Sequence, residues 1–383
     1  MKKKMITHEI GSLPKPEWRV KSSRGKKISA QDIADAKSWG QKLDINTEPL
    51  IDLLQKESRS REDKQEIRRL SSLFGLRLIE KAGLDVVYDG EQQRSEMYQE
   101  AVEHIDGFIF HGHIRSFDNK YYKKAACIAK PRFKVAYHLK EFQQVSKMTK
   151  QPLKVPMTGP YTIADWSYDE YYAKGSFAIG TLKGRLARRK ARQQFVLDIA
   201  KQVIRPNIQA LVKAGATWIQ IDEPAVTTHP EEVPLFVESF NAATQGIKCK
   251  FSVHICFSDY TNLFPHIKKL RNCSQYALEF ANRDSRKLGT KDGDRPGYTI
   301  LKLFRKHRIP GAIGLGVTDI HSDFLEPPEL VRDRILYAVK IMGDPQLINP
   351  TPDCGLRTRS IPIAYEKMRR TVLGARLAEE RIT

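Results

Sequence analysis

The stretch FSVHICFSDY, residues 251–260, has the composition of a buried strand that ends in polar turn residues. His254 and Cys256 lie two positions apart in it, so on a strand both side chains point to the same face. An imidazole and a thiol side by side at a strand end can form half of a metal site. They can equally be two core residues, since a cysteine in a strand is most often a small buried apolar residue. The stretch alone leaves both interpretations open.

Seven further apolar segments of similar length occur along the chain, and longer segments with helical periodicity separate them. The predicted strands are residues 5–10, 84–90, 153–159, 218–224, 250–256, 276–280, 312–320 and 346–351. Eight strands that alternate with helices predict an α/β fold of the (β/α)8 TIM-barrel type. Residues 91–150 are too long for a simple crossover, and their β-rich segments predict an elaborated hairpin after the second strand. Because no Pro/Gly-rich linker interrupts the pattern, we expect a single domain over residues 1–383.

Composition narrows the class of protein. The 383 residues carry a formal net charge of +20, and basic residues are densest in KGRLARRKAR, 183–192. Without a zinc-finger, RRM or helix-turn-helix signature, we expect no specific nucleic-acid binding. The charge then indicates a solvated basic surface or a docking face for a polyanionic ligand or acidic partner. The chain has no apolar run of ~20 residues and only five scattered cysteines, so we expect a cytoplasmic protein with no membrane partner.

Polar side chains follow nearly every predicted strand at its carboxyl end, where barrel enzymes carry their active sites. These side chains are those of His8, Glu9, Ser12, Asp89, Glu91, Asp222, Glu223, His254, Cys256, Glu279, Asp319, His321, Asp353 and Cys354, and Gly11 lies among them after the first strand. Polar groups buried without partners cost free energy, so their recurrence at one end predicts a site. Glu223 fits either a site role or an ion pair with Arg or Lys. Cys249 and Cys273 fall near strand starts and are interpreted as structural.

Four of these residues are of types that zinc prefers, and they come from three different strand ends. They are His254, Cys256, Glu279 and Cys354. Zinc takes four N, S or O ligands, with cysteine and histidine as the usual ones. The chain has no paired CxxC motif, so it does not contain a structural zinc finger. The four side chains converge only if the strand assignment is right.

Motifs along nearly the whole chain resemble, in the same order, those of the catalytic barrel of cobalamin-independent methionine synthase. They read HEIGSLPKP, DGEQQR, MTGPYTIADW, IQIDEPA, HIC, LEFANRD, VTDIHS and NPTPDCGLRTR. The resemblance implies a homocysteine S-methyltransferase that makes methionine and uses Zn²⁺ as cofactor. It implies that the zinc ion is held by His254, Cys256, Glu279 and Cys354.

The resemblance also implies a homocysteine site and a proton donor. By the resemblance, the homocysteine residues are Ile10, Gly11, Ser12, Glu91 and Asp222, Trp166 contacts the methyl donor, and His321 is the proton donor. Asp319, two positions before His321, either orients it or caps the next helix. Carboxylates suit the ammonium group of an amino acid, and backbone amides suit its carboxylate. A free thiol has a pKa near ~8.5, whereas a zinc-bound thiol is deprotonated. We therefore expect the homocysteine sulfur to attack a methyl group as a thiolate.

Departures from the family pattern leave the methyl donor open. Family members with folate donors usually carry an N-terminal half of similar size, for which these 383 residues have no counterpart. An Arg-Cys pair of the family reads Ala126-Cys127 here, and the acidic residue expected six positions after Asp222 is Thr228. The resemblance therefore implies either methyltetrahydrofolate or its polyglutamate, or methylcobalamin or an acidic corrinoid protein, as the donor.

Other functions fit parts of the sequence. A zinc barrel that transfers an alkyl group to or from another thiol would use the same ligand types. A zinc hydrolase or lyase could use them as well, but two cysteine ligands favour thiol alkylation over hydrolysis. A uroporphyrinogen-decarboxylase-like barrel has a related architecture but no use for the His/Cys/Glu/Cys set. A basic nucleic-acid-binding protein would show a steep salt dependence of binding.

Overall fold

The computed structural model describes residues 5–115, 121–174 and 181–382. Its strands are β1 (Ile105–Arg115), β2 (Tyr121–Phe133), β3 (Val155–Thr158), β4 (Tyr168–Asp169), β5 (Trp218–Asp222), β6 (Lys250–Ile255), β7 (Gln275–Leu278), β8 (Ala312–Thr318) and β9 (Ile348–Pro352). Its α-helices are α1 (Glu17–Ser23), α2 (Ala30–Lys42), α3 (Glu48–Gln55), α4 (Arg61–Ala82), α5 (Met97–Val102), α6 (Leu139–Val145), α7 (Pro160–Asp165), α8 (Leu182–Ile199), α9 (Arg205–Lys213), α10 (Val233–Thr244), α11 (Leu301–His307), α12 (Pro328–Met342) and α13 (Ile361–Arg381).

Six strands form a parallel sheet in the order β3-β5-β6-β7-β8-β9, and two shorter segments close it. His8 bridges Val86 and Val87 bridges Leu153, both in parallel orientation. On the other side, the His8 N–H donates to the Pro350 carbonyl oxygen of β9 at 3.3 Å. The sheet is therefore a closed ring of eight segments, and the predicted (β/α)8 barrel is confirmed.

The first predicted strand, residues 5–10, is much shorter than expected because its backbone finds other partners. The buried ammonium of Lys154 donates to the carbonyl oxygens of Glu9 and Ile10, so these groups do not join a ladder. The second predicted strand, residues 84–90, likewise makes only single bridges. Both segments still occupy their predicted places in the ring and deliver their polar ends to the same side.

A two-stranded ribbon follows the second barrel segment, as predicted. β1 and β2 pair antiparallel with two register shifts, and β4 pairs parallel with β2. The turn at residues 116–120 lies outside the described residues. β2 packs against α5 and α8, which brings Tyr121 and Tyr122 at its start to the carboxyl ends of the barrel strands.

Polar side chains linked by hydrogen bonds fill the inside of the barrel. Lys154 Nζ donates to Gln220 Oε1 at 2.6 Å. Gln275 Nε2 donates to Asn349 Oδ1 at 2.8 Å and lies 2.9 Å from His8 Nε2. These hydrogen bonds pair most of the polar groups in the barrel interior, which forms a packed core beneath the site.

The basic run 183–192 lies on α8, where its residues are largely exposed, as the solvated-surface interpretation predicts. Thr181 caps this helix by accepting from the Gly184 N–H at 3.0 Å. The π-helical turn Ala200–Ile204 joins α8 to α9, just before Pro206, whose ring nitrogen cannot donate a helical hydrogen bond. In the described part of the chain, no helix has the length and apolar character needed to cross a membrane.

Candidate metal and substrate site

Three of the four predicted metal ligands lie together at the carboxyl ends of the strands. One ligand atom each from His254, Cys256 and Cys354 lies within 4.8 Å of the other two, and among the described residues this is the group that could hold a metal ion. His254 Nε2 is 3.2 Å from Cys354 Sγ. His254 is the penultimate residue of β6 and Cys354 follows β9, so the curvature of the barrel brings together residues 100 positions apart.

The orientation of His254 suits a ligand. Its Nδ1 lies 3.0 Å from the Ala277 carbonyl oxygen, which can only accept a hydrogen bond. Nδ1 therefore carries a proton, and Nε2 is the ring nitrogen that faces the Cys354 sulfur. A backbone carbonyl that fixes the histidine tautomer in this way is the usual support for a metal-binding imidazole.

Charge in this group favours one anionic sulfur. The hydrogen bond from the Cys256 thiol, together with the adjacent His254, lowers the pKa of Cys354 to about 5. The same hydrogen bond raises the pKa of Cys256, which keeps its proton. Burial lowers the pKa of His254, but the Cys354 sulfur outweighs burial and raises it to about 9. These protons occupy the positions that a soft cation takes when it binds imidazole and thiolates.

The predicted fourth ligand, Glu279, is fully buried just after β7 and is not a member of the group of three. Its Oε2 accepts from the Phe257 N–H at 2.7 Å and from Asn282 Nδ2 at 3.3 Å. Its Oε1 lies 3.3 Å from His321 Nε2. The structure thus places Glu279 between the cluster and the predicted proton donor, and its role as a ligand stays a prediction.

A cavity of about 220 Å³ opens above the cluster. It is lined by all predicted site residues except Glu279 and Asp319: Ile10, Gly11, Ser12, Glu91, Trp166, Asp222, His254, Cys256, His321 and Cys354. The sequence reasoning did not anticipate that Glu96, Met97, Tyr121 and Tyr122 also line it. The YY pair at residues 121–122, within the elaborated hairpin predicted after the second strand, is the signal that could have indicated the two tyrosines.

Glu91 enters this cavity from an unusual backbone conformation. Its φ is 57°, in the left-handed region that non-glycine residues seldom adopt. Asp89 Oδ1 accepts the Glu91 N–H at 2.8 Å, and Arg94 Nη1 lies 3.2 Å from Glu91 Oε1. A Cβ on Gly11 would lie 3.1 Å from the same Oε1. The carboxylate is therefore held tightly against the backbone of the predicted homocysteine segment.

Asp222 is the second carboxylate of the cavity, and it is tied to the same segment. Gln220 Nε2 donates to Asp222 Oδ1 and to the Ile10 carbonyl oxygen, both at 2.7 Å. Burial raises the pKa of Asp222 to about 7, with His254 opposing the shift and Glu91 adding to it. An ammonium group between Glu91 and Asp222 would relieve this buried negative charge.

Asp319 supports the turn after β8 and does not line the cavity. Its Oδ1 accepts the His321 N–H at 2.8 Å, and its Oδ2 accepts the Ser322 hydroxyl at 2.9 Å. The imidazole of His321 is oriented instead by Glu279 and by the Phe257 ring, whose centroid is 4.9 Å away. The hydrogen bond to Glu279 raises the pKa of His321.

An aromatic wall forms the opposite side of the cavity. Trp166 and Tyr122 line the cavity, and the buried Tyr98 packs behind them, with the three ring centroids 5.5 to 6.1 Å apart. The Tyr98 hydroxyl lies 2.8 Å from Ser167 Oγ and accepts the Ala125 N–H at 3.1 Å, which ties the wall to the ribbon. Neither Cys127 nor Thr228 lines the cavity.

Fold and site together define a class: (β/α)8 barrels with a His/Cys/Cys cluster beside an acidic cavity at their strand ends. The sequence model of one family, described as "Cobalamin-independent synthase, Catalytic domain", matches residues 37–377. A protein named methionine synthase from Thermoplasma volcanium is 40% identical over 315 residues, covering 81% of this chain and 88% of that protein. Another of the same name from Pyrococcus abyssi is 33% identical over 377 residues, covering 98% and 93%. The chain belongs to the cobalamin-independent methionine synthase family.

Solved structures support the fold. A B12-independent methionine synthase from Shewanella sp. W3-18-1, in complex with selenomethionine, matches with a TM-score of 0.74 at 21% identity, covering 99% of both chains. A putative vitamin-B12 independent methionine synthase from Listeria monocytogenes matches with a TM-score of 0.66 at 15% identity, covering 97% of this chain and 98% of that one.

Proposed function

We propose that this protein is a zinc-dependent homocysteine S-methyltransferase that makes methionine. The observation that carries the proposal is that the His254, Cys256 and Cys354 cluster opens into the same cavity as Glu91 and Asp222. Soft metal ligands beside a pair of carboxylates suit a substrate that has both a thiol and an ammonium group. Membership of a family whose relatives are named methionine synthase supports this choice over another thiol or a hydrolase.

The residues present fit a zinc ion. His254, Cys256 and Cys354 would hold it, with Glu279 as the fourth ligand, and this N, S and O donor set is one that zinc prefers. When bound, zinc lowers the pKa of a coordinated thiol so that the thiol is present as thiolate. Two features of the protein favour zinc binding. The Ala277 carbonyl oxygen orients His254 through Nδ1, and the neighbouring Cys256 and His254 lower the pKa of Cys354.

The amino-acid end of homocysteine would be held by the cavity wall opposite the ribbon. Asp222 and Glu91 would accept hydrogen bonds from its ammonium group, and the Gly11 and Ser12 backbone with the Ser12 hydroxyl would donate to its carboxylate. Gln220 fixes Asp222 and the Ile10 carbonyl together, so the two halves of this subsite keep their separation. The role of this subsite is to orient the substrate sulfur toward the cysteines.

His321 would supply a proton when the leaving group needs one. It lines the cavity, and the hydrogen bond between its Nε2 and Glu279 raises its pKa, which favours its protonated form. A methylated folate nitrogen must be protonated to leave, whereas a corrin cobalt leaves without a proton. His321 is therefore essential with a folate donor and dispensable with a corrinoid donor.

The methyl donor would stack on the aromatic wall of Trp166 and Tyr122, because a flat conjugated ring fits such a surface. Two donor classes meet this description: methyltetrahydrofolate or its polyglutamate, and methylcobalamin, free or on an acidic corrinoid protein. The exposed basic run 183–192 would attract either a polyglutamate tail or an acidic partner.

We also propose that residues 1–383 act as one catalytic barrel. Its thiol chemistry requires reduced cysteines, so we place the protein in a reducing cytoplasm.

One assay tests the proposed function and the donor together. Purified protein with a measured zinc content would be incubated with homocysteine and, in parallel, methyltetrahydrofolate, its polyglutamate or methylcobalamin, and methionine would be quantified. We expect stoichiometric zinc and methionine formation with one donor class. Zinc-free protein, or no methionine with any of the three, would contradict the proposal. Cys249→Ser serves as a control, because Cys249 lies before β6, at the end of the barrel away from the site.

A further inference from the structure

The carboxylate of Asp353 holds a loop that belongs to a different strand. Asp353 follows β9 directly, yet its Oδ1 accepts the backbone N–H groups of Phe280 and Ala281, both at 2.9 Å. Its Oδ2 accepts the N–H of Asn282 at 2.7 Å. The side chain is fully buried, and three backbone donors converge on its two oxygens. A carboxylate is the side chain best suited to accept so many hydrogen bonds.

To reach that loop the carboxylate crosses β8, which lies between β7 and β9. The crossing point is Gly316, where a Cβ would lie 2.1 Å from Asp353 Oδ1. A glycine is therefore required at this position of an otherwise apolar strand. The backbone of Asp353 is fixed as well, since its N–H donates to the Thr318 carbonyl oxygen at 3.0 Å.

Both ends of this connection are next to predicted metal ligands. Asp353 immediately precedes Cys354, and the loop it holds begins immediately after Glu279. Within that loop, Asn282 Nδ2 donates to Glu279 Oε2 at 3.3 Å. The buried carboxyl group of Asp353 thus links the segment that carries Cys354 to the segment that carries Glu279.

We propose that Asp353 is a positioning residue that sets the separation between Cys354 and Glu279. The side chain touches neither the cavity nor the substrate and acts through the two segments that it joins. This inference rests on the proposed function, because it matters only if Cys354 and Glu279 share a metal ion. It assigns the aspartate of the PDCG motif a role distinct from that of the adjacent cysteine.

The test compares Asp353→Asn with Glu223→Gln. Glu223 is a matched control, because it too is a buried strand-end carboxylate that accepts backbone N–H groups, from Tyr161 at 3.1 Å and Thr162 at 2.7 Å. Each substitution removes a carboxyl oxygen that accepts backbone N–H groups, but only Asp353 joins two segments that carry predicted metal ligands. The readout is the zinc dissociation constant, measured by competition with a chromophoric chelator, alongside the Tm of each metal-free protein.

We expect Asp353→Asn to weaken zinc binding by about 10- to 100-fold, as the loss of an outer partner of a metal ligand typically does. Glu223→Gln should change the zinc dissociation constant by less than about twofold, even if its Tm falls as far as that of Asp353→Asn. Should Asp353→Asn fail to fold, Asp353→Ser is the second variant: its shorter side chain fits the same space but cannot reach the loop after Glu279, so zinc binding should weaken several-fold in a folded protein. Unchanged zinc affinity in the folded variant would overturn the inference.

This outcome is separable from failure of the proposed function. If the parent protein binds no zinc, the proposed function fails and the inference fails with it. If the parent binds zinc and makes methionine while Asp353→Asn binds zinc equally well, only the role of Asp353 is wrong.

Discussion

The floor of the cavity, formed by Glu91, Asp222, His254, Cys256 and Cys354, and its aromatic wall are held in place by different kinds of interaction. Floor residues stand at strand ends, and neighbouring buried carboxylates hold their backbone: Asp89 accepts the N–H of Glu91, and Asp353 accepts those of the loop after Glu279. The wall is held by ring packing of Trp166 and Tyr122 on Tyr98. Hydrogen bonds from backbone N–H groups to carboxyl oxygens impose direction, whereas aromatic packing tolerates several geometries.

This difference separates two tasks. The floor must bring small ligand atoms to fixed positions, where an error of an ångström matters. Under the proposed function, the wall would offer a flat apolar surface to a bulky donor, and its Tyr122 belongs to a ribbon outside the barrel. Under the proposed function, thiol activation would depend on the barrel, and donor choice would depend partly on the ribbon added to it. If this division holds, floor changes should alter zinc or homocysteine binding, and wall changes should alter donor binding alone.

The largest effect is expected at the metal cluster. Cys354→Ser should abolish stoichiometric zinc binding and lower the rate of methionine formation by at least about 10³-fold, because metal activation is worth several kcal/mol. Zinc content by elemental analysis and the methyl-transfer assay check this. Cys249→Ser should keep both properties. A serine variant with normal zinc and activity would show that the floor is not the metal site.

A change at Asp222 should separate substrate binding from metal binding. Asp222→Asn removes the charge that would pair with the substrate ammonium, and a hydrogen bond to a charged group is worth about 1.5–3 kcal/mol. We expect KM for homocysteine to rise by about 10- to 100-fold with zinc content unchanged. Glu231→Gln, an exposed acidic residue, is the control. If the zinc content of Asp222→Asn fell instead, Asp222 would belong to the metal site.

Much of the floor could be predicted because its chemistry is local in the sequence. Polar residues at the ends of apolar runs, such as His254, Asp222 and Cys354, need only a barrel to converge. What each carboxylate binds could not be read in this way. Glu223 fitted an ion pair or a site role, but it accepts the N–H groups of Tyr161 and Thr162 instead. Such partners are set by the path of a distant backbone, which composition and spacing do not reveal.

The wall was harder to predict for a related reason. Trp166 was found through a motif, but the contribution of Tyr122 depends on the register of β1 with β2 and on how the ribbon packs against α5. Register in a long hairpin with two irregularities cannot be inferred from alternation alone. The short first strand also escaped prediction, because Lys154 takes the carbonyl groups that a ladder would have used.

A change in the wall should affect the donor alone. Tyr122→Ala removes ring contacts with Trp166 and Tyr98, each worth about 0.5–1.5 kcal/mol, so we expect KM for the methyl donor to rise by about 2- to 10-fold. KM for homocysteine and zinc content should stay at parent values. Tyr171→Ala, an exposed aromatic residue outside the cavity, is the control. An equal rise in KM for homocysteine would mean that wall and floor are one unit.

The smallest effect concerns Glu223, which connects the two regions because α7, the helix it holds, ends next to Trp166. Burial raises the pKa of Glu223 from 4.5 to about 7. A carboxyl group with a raised folded-state pKa contributes stability that is fully present below its unfolded pKa and is lost as pH rises through the folded one. The unfolding free energy of the metal-free parent should therefore fall relative to that of Glu223→Gln between about pH 5 and pH 8. Urea denaturation across this range measures the difference, and a difference independent of pH would mean that Glu223 holds α7 as a carboxylate throughout.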